Sequence, residues 1–181
     1  SPRARRNFSV LIVKLGDLFS RLGFQAEAKA EYGKALDRLG EDDPHGRIAL
    51  AEKLVRLDRS DVGLRLKLAG FLSRTGAMDR AATELNEAAD VLLARGDTAE
   101  AERVLREAGK IKDGDARTLA NLARLLKRDK RLEEAVKLVE ESIRRHGPQP
   151  GLVALLGDLY LEGRLDAKAR EVFRRLLEDD P

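Results

Sequence analysis

His45 and His146 are the only side chains in this sequence that ordinarily titrate near neutrality, and they fall in different parts of the chain. His146 falls at a predicted helix C-terminus, where the helix dipole favours a cation. His45 follows Pro44 in a predicted first turn. Neither has a second imidazole or a thiol near it in sequence. With no cysteine, the chain has no thiolate metal ligand, no thiol nucleophile and no disulfide. Glycine-rich phosphate loops, His-Glu-x-x-His helices and Gly-x-Ser-x-Gly elbows are missing as well. Asp42-Asp43 and Asp179-Asp180 are acid pairs at helix edges, where water solvates them. Gly96-Asp97 and Gly114-Asp115 read as helix starts rather than calcium loops. The residue types therefore predict no catalysis, no cofactor and no metal site.

What stands out instead is charge at a helical spacing. Four segments place residues at i, i+4, i+7 and i+11, opposite an apolar face. The first is Val10, Lys14, Asp17 and Arg21; the second is Gly63, Lys67, Gly70 and Arg74. The third is Arg117, Asn121, Arg124 and Arg128, with Lys127 alongside, and the fourth is Gly151, Leu155, Asp158 and Glu162. Three stripes are net positive and the fourth is negative. Such a series would attract an acidic segment of a partner polypeptide.

The elements that carry these stripes follow from apolar periodicity. Leu11, Ile12, Leu15, Leu18, Phe19 and Leu22 form one face of a helix over 9–22. Ala28, Tyr32, Ala35, Leu36 and Leu39 do so over 25–39. Asp43 as N-cap and Pro44 in the first turn open a third helix, which runs to Asp58. This three-helix plan returns about 53 residues later, by the offset from Leu15-Gly16 to Leu68-Ala69. It includes helices over 78–94 and 98–111. The plan returns again at Leu122-Ala123 and finally at Leu156-Gly157, giving ten helices in all. All five prolines lie at boundaries or chain ends, as expected when one inside a helix costs roughly 3 kcal/mol. Glu133–Lys137, Glu140–Arg144, Glu141–Arg145 and Glu171–Arg175 add favourable i, i+4 pairs. No segment alternates with period two, so no strand is expected.

Leu15-Gly16-Asp17-Leu18-Phe19 and Leu156-Gly157-Asp158-Leu159-Tyr160 each precede a glycine turn (Gly23, Gly163) and then Ala28-x3-Tyr32 or Ala169-x3-Phe173. In these residues the sequence resembles the tetratricopeptide repeat family. The resemblance implies an all-α, right-handed superhelical solenoid of antiparallel helix hairpins over 9–181, following a basic tail at 1–8. Repeats fall near 9–42, 62–95, 116–149 and 150–181, with half-repeats near 44–60 and 97–114. The helices at 25–39 and 78–94 would then close one repeat and open the next. Small residues (Gly16, Ala28, Ala35, Ala69, Ala81, Ala88) fall where paired helices cross. The aromatic residue often found early in the first helix is replaced by Ile12, Arg65, Leu119 and Val153. Arg65→Trp, toward the family pattern, is therefore expected to be neutral or stabilising if that site faces its partner helix.

In such solenoids the first helix of each hairpin lines the concave surface. The resemblance thus assigns partner binding to Lys14, Arg21, Lys67, Arg74, Arg117, Asn121, Arg124, Lys127 and Arg128. Val13 and Asp17 occupy the places of the lysine and asparagine that a chaperone-binding carboxylate clamp requires, which excludes that specialisation. The expected function is a non-catalytic scaffold that binds a protein or peptide. A peptide-sensing regulatory domain and an RNA-binding helical repeat are the alternatives. RNA is disfavoured because the stripe positions vary and aromatic residues make up only 4% of the chain. The net charge of +3 equals the contribution of Arg3, Arg5 and Arg6, leaving the remainder balanced. No apolar run approaches the roughly 18 residues of a membrane helix. Together with the absence of cysteine, this leads to the expectation of a cytoplasmic location. A start at Ser1 without Met suggests a piece of a longer protein.

Overall fold

The computed structural model describes the backbone of residues 2–179 and the side chains of 10–178. Ten helices and no strand occur among the described residues: α1 (Pro2–Arg21), α2 (Gln25–Arg38), α3 (Pro44–Leu57), α4 (Val62–Arg74), α5 (Met78–Ala94), α6 (Thr98–Ile111), α7 (Ala116–Arg128), α8 (Leu132–His146), α9 (Pro150–Glu162) and α10 (Asp166–Asp179). The breaks are where the punctuation residues put them. Asp43, Asp61, Asp97 and Asp115 each cap the following helix by accepting a backbone N–H, which satisfies one of the donors orphaned at a helix start. One boundary differs from the sequence reading. α1 begins at Pro2, not near Ser9, because proline fits a first turn and no breaker follows it. The backbone over 2–8 is thus helical, while the side chains of Arg3, Arg5 and Arg6 lie outside the described residues. In the turn before α10 the left-handed residue is Arg164 (φ 57°) rather than Gly163; Lys130 (φ 62°) holds the equivalent place before α8.

The chain divides within α5 into two compact units, Ser1–Val91 and Leu92–Pro181. In the first unit α2 packs on α1, α3 on α2, and α4 on α3. Ion pairs then join helices two apart. Asp17 of α1 meets Lys53 of α3, and Glu52 of α3 meets Arg80 of α5. Lys29 of α2 holds Asp58 at 2.7 Å and Asp61, the α4 cap, at 3.2 Å. Odd helices therefore form one row and even helices the other.

The second unit repeats this rule. Arg131, at the start of α8, reaches Glu102 of α6 at 2.8 Å, and Lys127 of α7 reaches Glu162 of α9 at 2.6 Å. Arg131 comes first among the causes that hold the Glu102 carboxyl below its usual range. Glu140, expected to pair with Arg144, instead accepts the Tyr160 hydroxyl of α9 at 2.5 Å. Tertiary geometry offered it a less exposed partner.

The hairpin crossings are matched in size. A Cβ on Gly16 would lie 2.6 Å from the Tyr32 ring, and one on Gly157 would lie 2.5 Å from the Phe173 ring. In the other two hairpins Ala69 and Ala123 replace glycine, and Leu85 and Val139 replace the aromatic ring; all four are buried. The predicted spacer residues Ala28, Ala35, Ala81 and Ala88 are fully buried.

Tyr32 is further fixed by its hydroxyl, which donates to Asp17 at 2.6 Å. Asp17 also receives Lys53. Burial alone would raise the Asp17 carboxyl, but the hydrogen bonds from Lys53 and Tyr32 bring it below its usual value. Burial and then Asp17 push the Tyr32 phenol up to about 12, and burial with Glu140 drives Tyr160 upward too.

Arg65 corrects the expectation drawn from the family pattern. It is buried, its Nη1 donates to Glu84 of α5 at 2.8 Å, and its Nε donates to the Arg59 carbonyl at 2.9 Å. The site does face the neighbouring helix, but it is an ion-pair site. Arg65→Trp should strand Glu84 and destabilise by about 1–3 kcal/mol. Ala135, with no exposed surface, leaves no room at its crossing, so Ala135→Leu should also cost about 1–3 kcal/mol. Urea denaturation of both variants checks this; an unchanged midpoint for either contradicts the packing described.

The raised phenols carry a pH signature. Between pH 10 and about 12 the folded Tyr32 keeps its proton while an unfolded one loses it, so stability should fall as pH rises through that window. Ultraviolet titration should show little tyrosinate in the folded protein near pH 10. Half-ionisation there with unchanged helicity would contradict the Tyr32–Asp17 and Tyr160–Glu140 bonds.

Candidate functional site

The most complete of the predicted stripes lies on α7. Asp115 fixes its start, accepting from the Thr118 backbone at 2.9 Å and from the Thr118 hydroxyl at 2.8 Å. Burial raises the Asp115 carboxyl, and these two bonds with Lys112 more than offset it, leaving it below the usual range. Thr118, Leu122, Ala123, Leu125 and Leu126 turn inward. That orientation leaves Arg117, Asn121, Arg124, Lys127 and Arg128 along the remaining face, partly or fully exposed. Lys127 and Arg128 fall in the last turn, where cations complement the helix dipole.

Three of these five residues surround one shallow cavity of about 170 Å³, lined by Leu93, Asn121, Arg124, Leu125 and Arg128. Arg124 forms no hydrogen bond or ion pair with a described residue, and Arg128 has only Asp129 at 3.8 Å. Lys127 turns the other way and is neutralised by Glu162. The acidic fourth stripe therefore supplies a structural counter-ion to the third. Leu93 was missed by the sequence reading. Its signal was a second leucine in a pair at the end of α5. The cavity joins two leucines to two guanidinium-bearing side chains and one amide. This combination suits a carboxylate on a short apolar segment, through charge-assisted hydrogen bonds beside buried area.

The first unit does not gather its predicted residues. Lys14 and Arg21 stand on α1, in the row of α3, whereas Lys67 and Arg74 stand on α4, in the row of α2. Arg21 folds back onto the Asp17 carbonyl at 3.4 Å. Lys14 and Lys67 are exposed and unpaired among described residues. Arg74 reaches Glu41 at 3.6 Å across a cavity shared with Arg47 and Phe71. Asp17, a member of the first stripe, is engaged in fixing Tyr32. His146 lies 3.3 Å from Asp113, and His45 is exposed. No group of three potential metal-ligating side chains occurs among the described residues. None of the described helices is long and apolar enough to cross a membrane.

Antiparallel helical hairpins, arranged in two rows within each unit, define a helical-repeat protein. Residues 92–150 match the tetratricopeptide repeat family, a segment that takes in α6, α7 and α8. No curated protein resembles the chain in sequence at a significant level. Solved structures share the fold. BtubC (BKLC) from P. vanneervenii is 20% identical with a TM-score of 0.57, over 98% of this chain and 82% of that one. The putative kinesin light chain of Podosopora anserina, with nearly identical TPR-like repeats, is 18% identical with a TM-score of 0.55, over 92% of each chain. YrrB, described as a TPR protein with an unusual peptide-binding site, is 15% identical with a TM-score of 0.50, over 96% of this chain and 87% of its own. The all-helical fold of this chain is thus that of tetratricopeptide repeat proteins.

Proposed function

We propose that the chain is a non-catalytic interaction scaffold and that its second unit binds an acidic segment of a partner polypeptide along α7. The observation that carries this reading is Arg124, unpaired among described residues, between Asn121 and Arg128 at a cavity lined by Leu93 and Leu125. The similarity to YrrB, a TPR protein with an unusual peptide-binding site, supports the ligand class. Of the nine residues first assigned, Asn121, Arg124 and Arg128 line this cavity, and Arg117 stands on the same face of α7. Lys127 contributes through its pair with Glu162, which an acidic ligand would have to displace. Lys67 and Arg74 stay outside the α7 site.

A fluorescently labelled, extended peptide rich in Asp and Glu with a central leucine should bind the whole chain. Its binding should weaken as salt rises, because exposed charges are screened over about 8 Å at physiological ionic strength. Arg124→Glu with Arg128→Glu should weaken it by about tenfold or more, some 1.4 kcal/mol, with far-UV circular dichroism unchanged. Equal binding after that reversal, or equal binding of a Lys-rich control peptide, contradicts the assignment.

A further inference from the structure

A second cavity, of about 280 Å³, lies within the first unit and is lined by Glu41, Pro44, Arg47, Phe71, Arg74 and Thr75. Glu41 belongs to the turn before α3, Pro44 and Arg47 to the start of α3, and Phe71, Arg74 and Thr75 to the end of α4. Packing of α3 on α4 brings these segments together. Within the same unit α2 precedes them and the start of α5 follows. The cavity therefore does not lie at an end of the helix stack.

Its charge is unbalanced, with two guanidinium groups against one carboxylate. Arg47 has no ion-pair partner among the described residues, yet it is not a freely swinging surface side chain. Its guanidinium carbon lies 4.3 Å from the centre of the Phe71 ring, a contact that holds the planar group against the aromatic face. Its Nε is enclosed and donates to no described residue. Buried donors without an acceptor are few in folded proteins, and each calls for a cause. The carboxylates of the α2–α3 turn do not supply the acceptor. Asp43 accepts the Gly46 backbone N–H at 2.8 Å, Asp42 does not line the cavity, and Glu41 lies against Arg74 at 3.6 Å.

Glu41 indicates what the site accepts. Its side chain and that of Arg74 are 86% and 70% exposed, so water and salt weaken their contact and a better-placed acid can replace it. With Glu41 nearby, the surplus is a single positive charge, which suits a carboxylate better than a phosphate dianion. Pro44 and the Phe71 edge offer apolar surface to the carbons that carry the acid. The volume falls just below the roughly 300–1,000 Å³ of sites for whole drug-sized molecules. It suits one acidic group and the few carbons attached to it.

We propose that this cavity is a carboxylate-binding site, in which Arg47 and Arg74 donate charge-assisted hydrogen bonds to an incoming acid and Glu41 competes with that acid for Arg74. The chemistry is shared by a free dicarboxylate and by a Glu side chain in a peptide. This site lies in the first unit and is independent of the α7 cavity.

The test follows the arginine Nε–H resonances of the isotope-labelled whole chain by NMR, assigned through Arg47→Lys and Arg74→Lys. Three probes are titrated: glutarate, a blocked Ala-Glu-Ala peptide and a blocked Ala-Gln-Ala control. The Arg47 resonance should shift saturably with at least one of the two acids and not with the control. The acid that saturates it at the lower concentration identifies the source. Arg47→Gln, read at Arg74, should weaken binding by about tenfold or more. Glu41→Gln changes an exposed side chain and removes the competitor, so it should tighten binding by about threefold. That variant keeps the test decisive if Arg47→Gln disturbs the packing on Phe71. Arg124→Glu with Arg128→Glu should leave the titration unchanged, which separates it from the α7 site. The inference is overturned by the absence of a saturable shift with either acid, or by an equal shift with the Gln control. Tighter binding of inorganic phosphate than of both acids, or unchanged affinity in Glu41→Gln, overturns it as well.

Discussion

Everything in this fold depends on how closely two helices approach within each hairpin. At the first crossing a glycine lies under an aromatic ring, and Gly16 has no room even for a Cβ because Tyr32 fills that space. Phe173 and Gly157 repeat the arrangement at the last crossing. Where the small residue is alanine, the large one shrinks to Leu85 or Val139. The summed bulk at a crossing is thus kept within limits, as close-packed interiors require. Tyr32 cannot retreat from Gly16, because it is 3% exposed and its hydroxyl is held by Asp17.

Once the crossings fix the hairpins, ion pairs between helices two apart fix the rows. Asp17–Lys53, Lys29–Asp61, Glu102–Arg131 and Lys127–Glu162 all obey this rule. These pairs are partly exposed, so each adds little to stability on its own. Their larger consequence is selective. They engage particular acidic side chains and leave other cations without a described partner. Arg124 and Lys14 remain unpaired among the described residues. A charge count that is nearly balanced therefore still leaves local positive surface for binding.

The segmentation was legible because it rests on local chemistry. Proline placement, Asp caps and apolar periodicity act over a few residues, and the observed helices follow them closely from α2 to α10. The small residues at crossings were legible too, since their register repeats. What escaped was everything that needs a second helix to be in place. Periodicity marked Leu11, Leu15, Leu18 and Leu22 as apolar but could not say that they are exposed. Arg65 looked like a departure from the family until Glu84 was found beside it. Lys127 was grouped with a binding stripe, yet its register directs it to Glu162. The stripes on α1 and α4 looked equivalent in sequence, whereas the stacking of α1 to α4 puts these helices in alternate rows.

The size-matching at crossings is most directly tested by a double-mutant cycle at Gly16 and Tyr32, read by urea denaturation. Gly16→Ala and Tyr32→Leu should each destabilise the protein, the first by overcrowding and the second by leaving space. Together they recreate the Ala69 and Leu85 pairing of the second crossing. The lost hydroxyl contact with Asp17 is common to Tyr32→Leu and the double variant and cancels from the coupling. If the crossing is size-matched, the double variant should be more stable than the sum of the two changes predicts, by about 0.5–3 kcal/mol. Simple additivity would contradict it and place the determinant of helix spacing elsewhere.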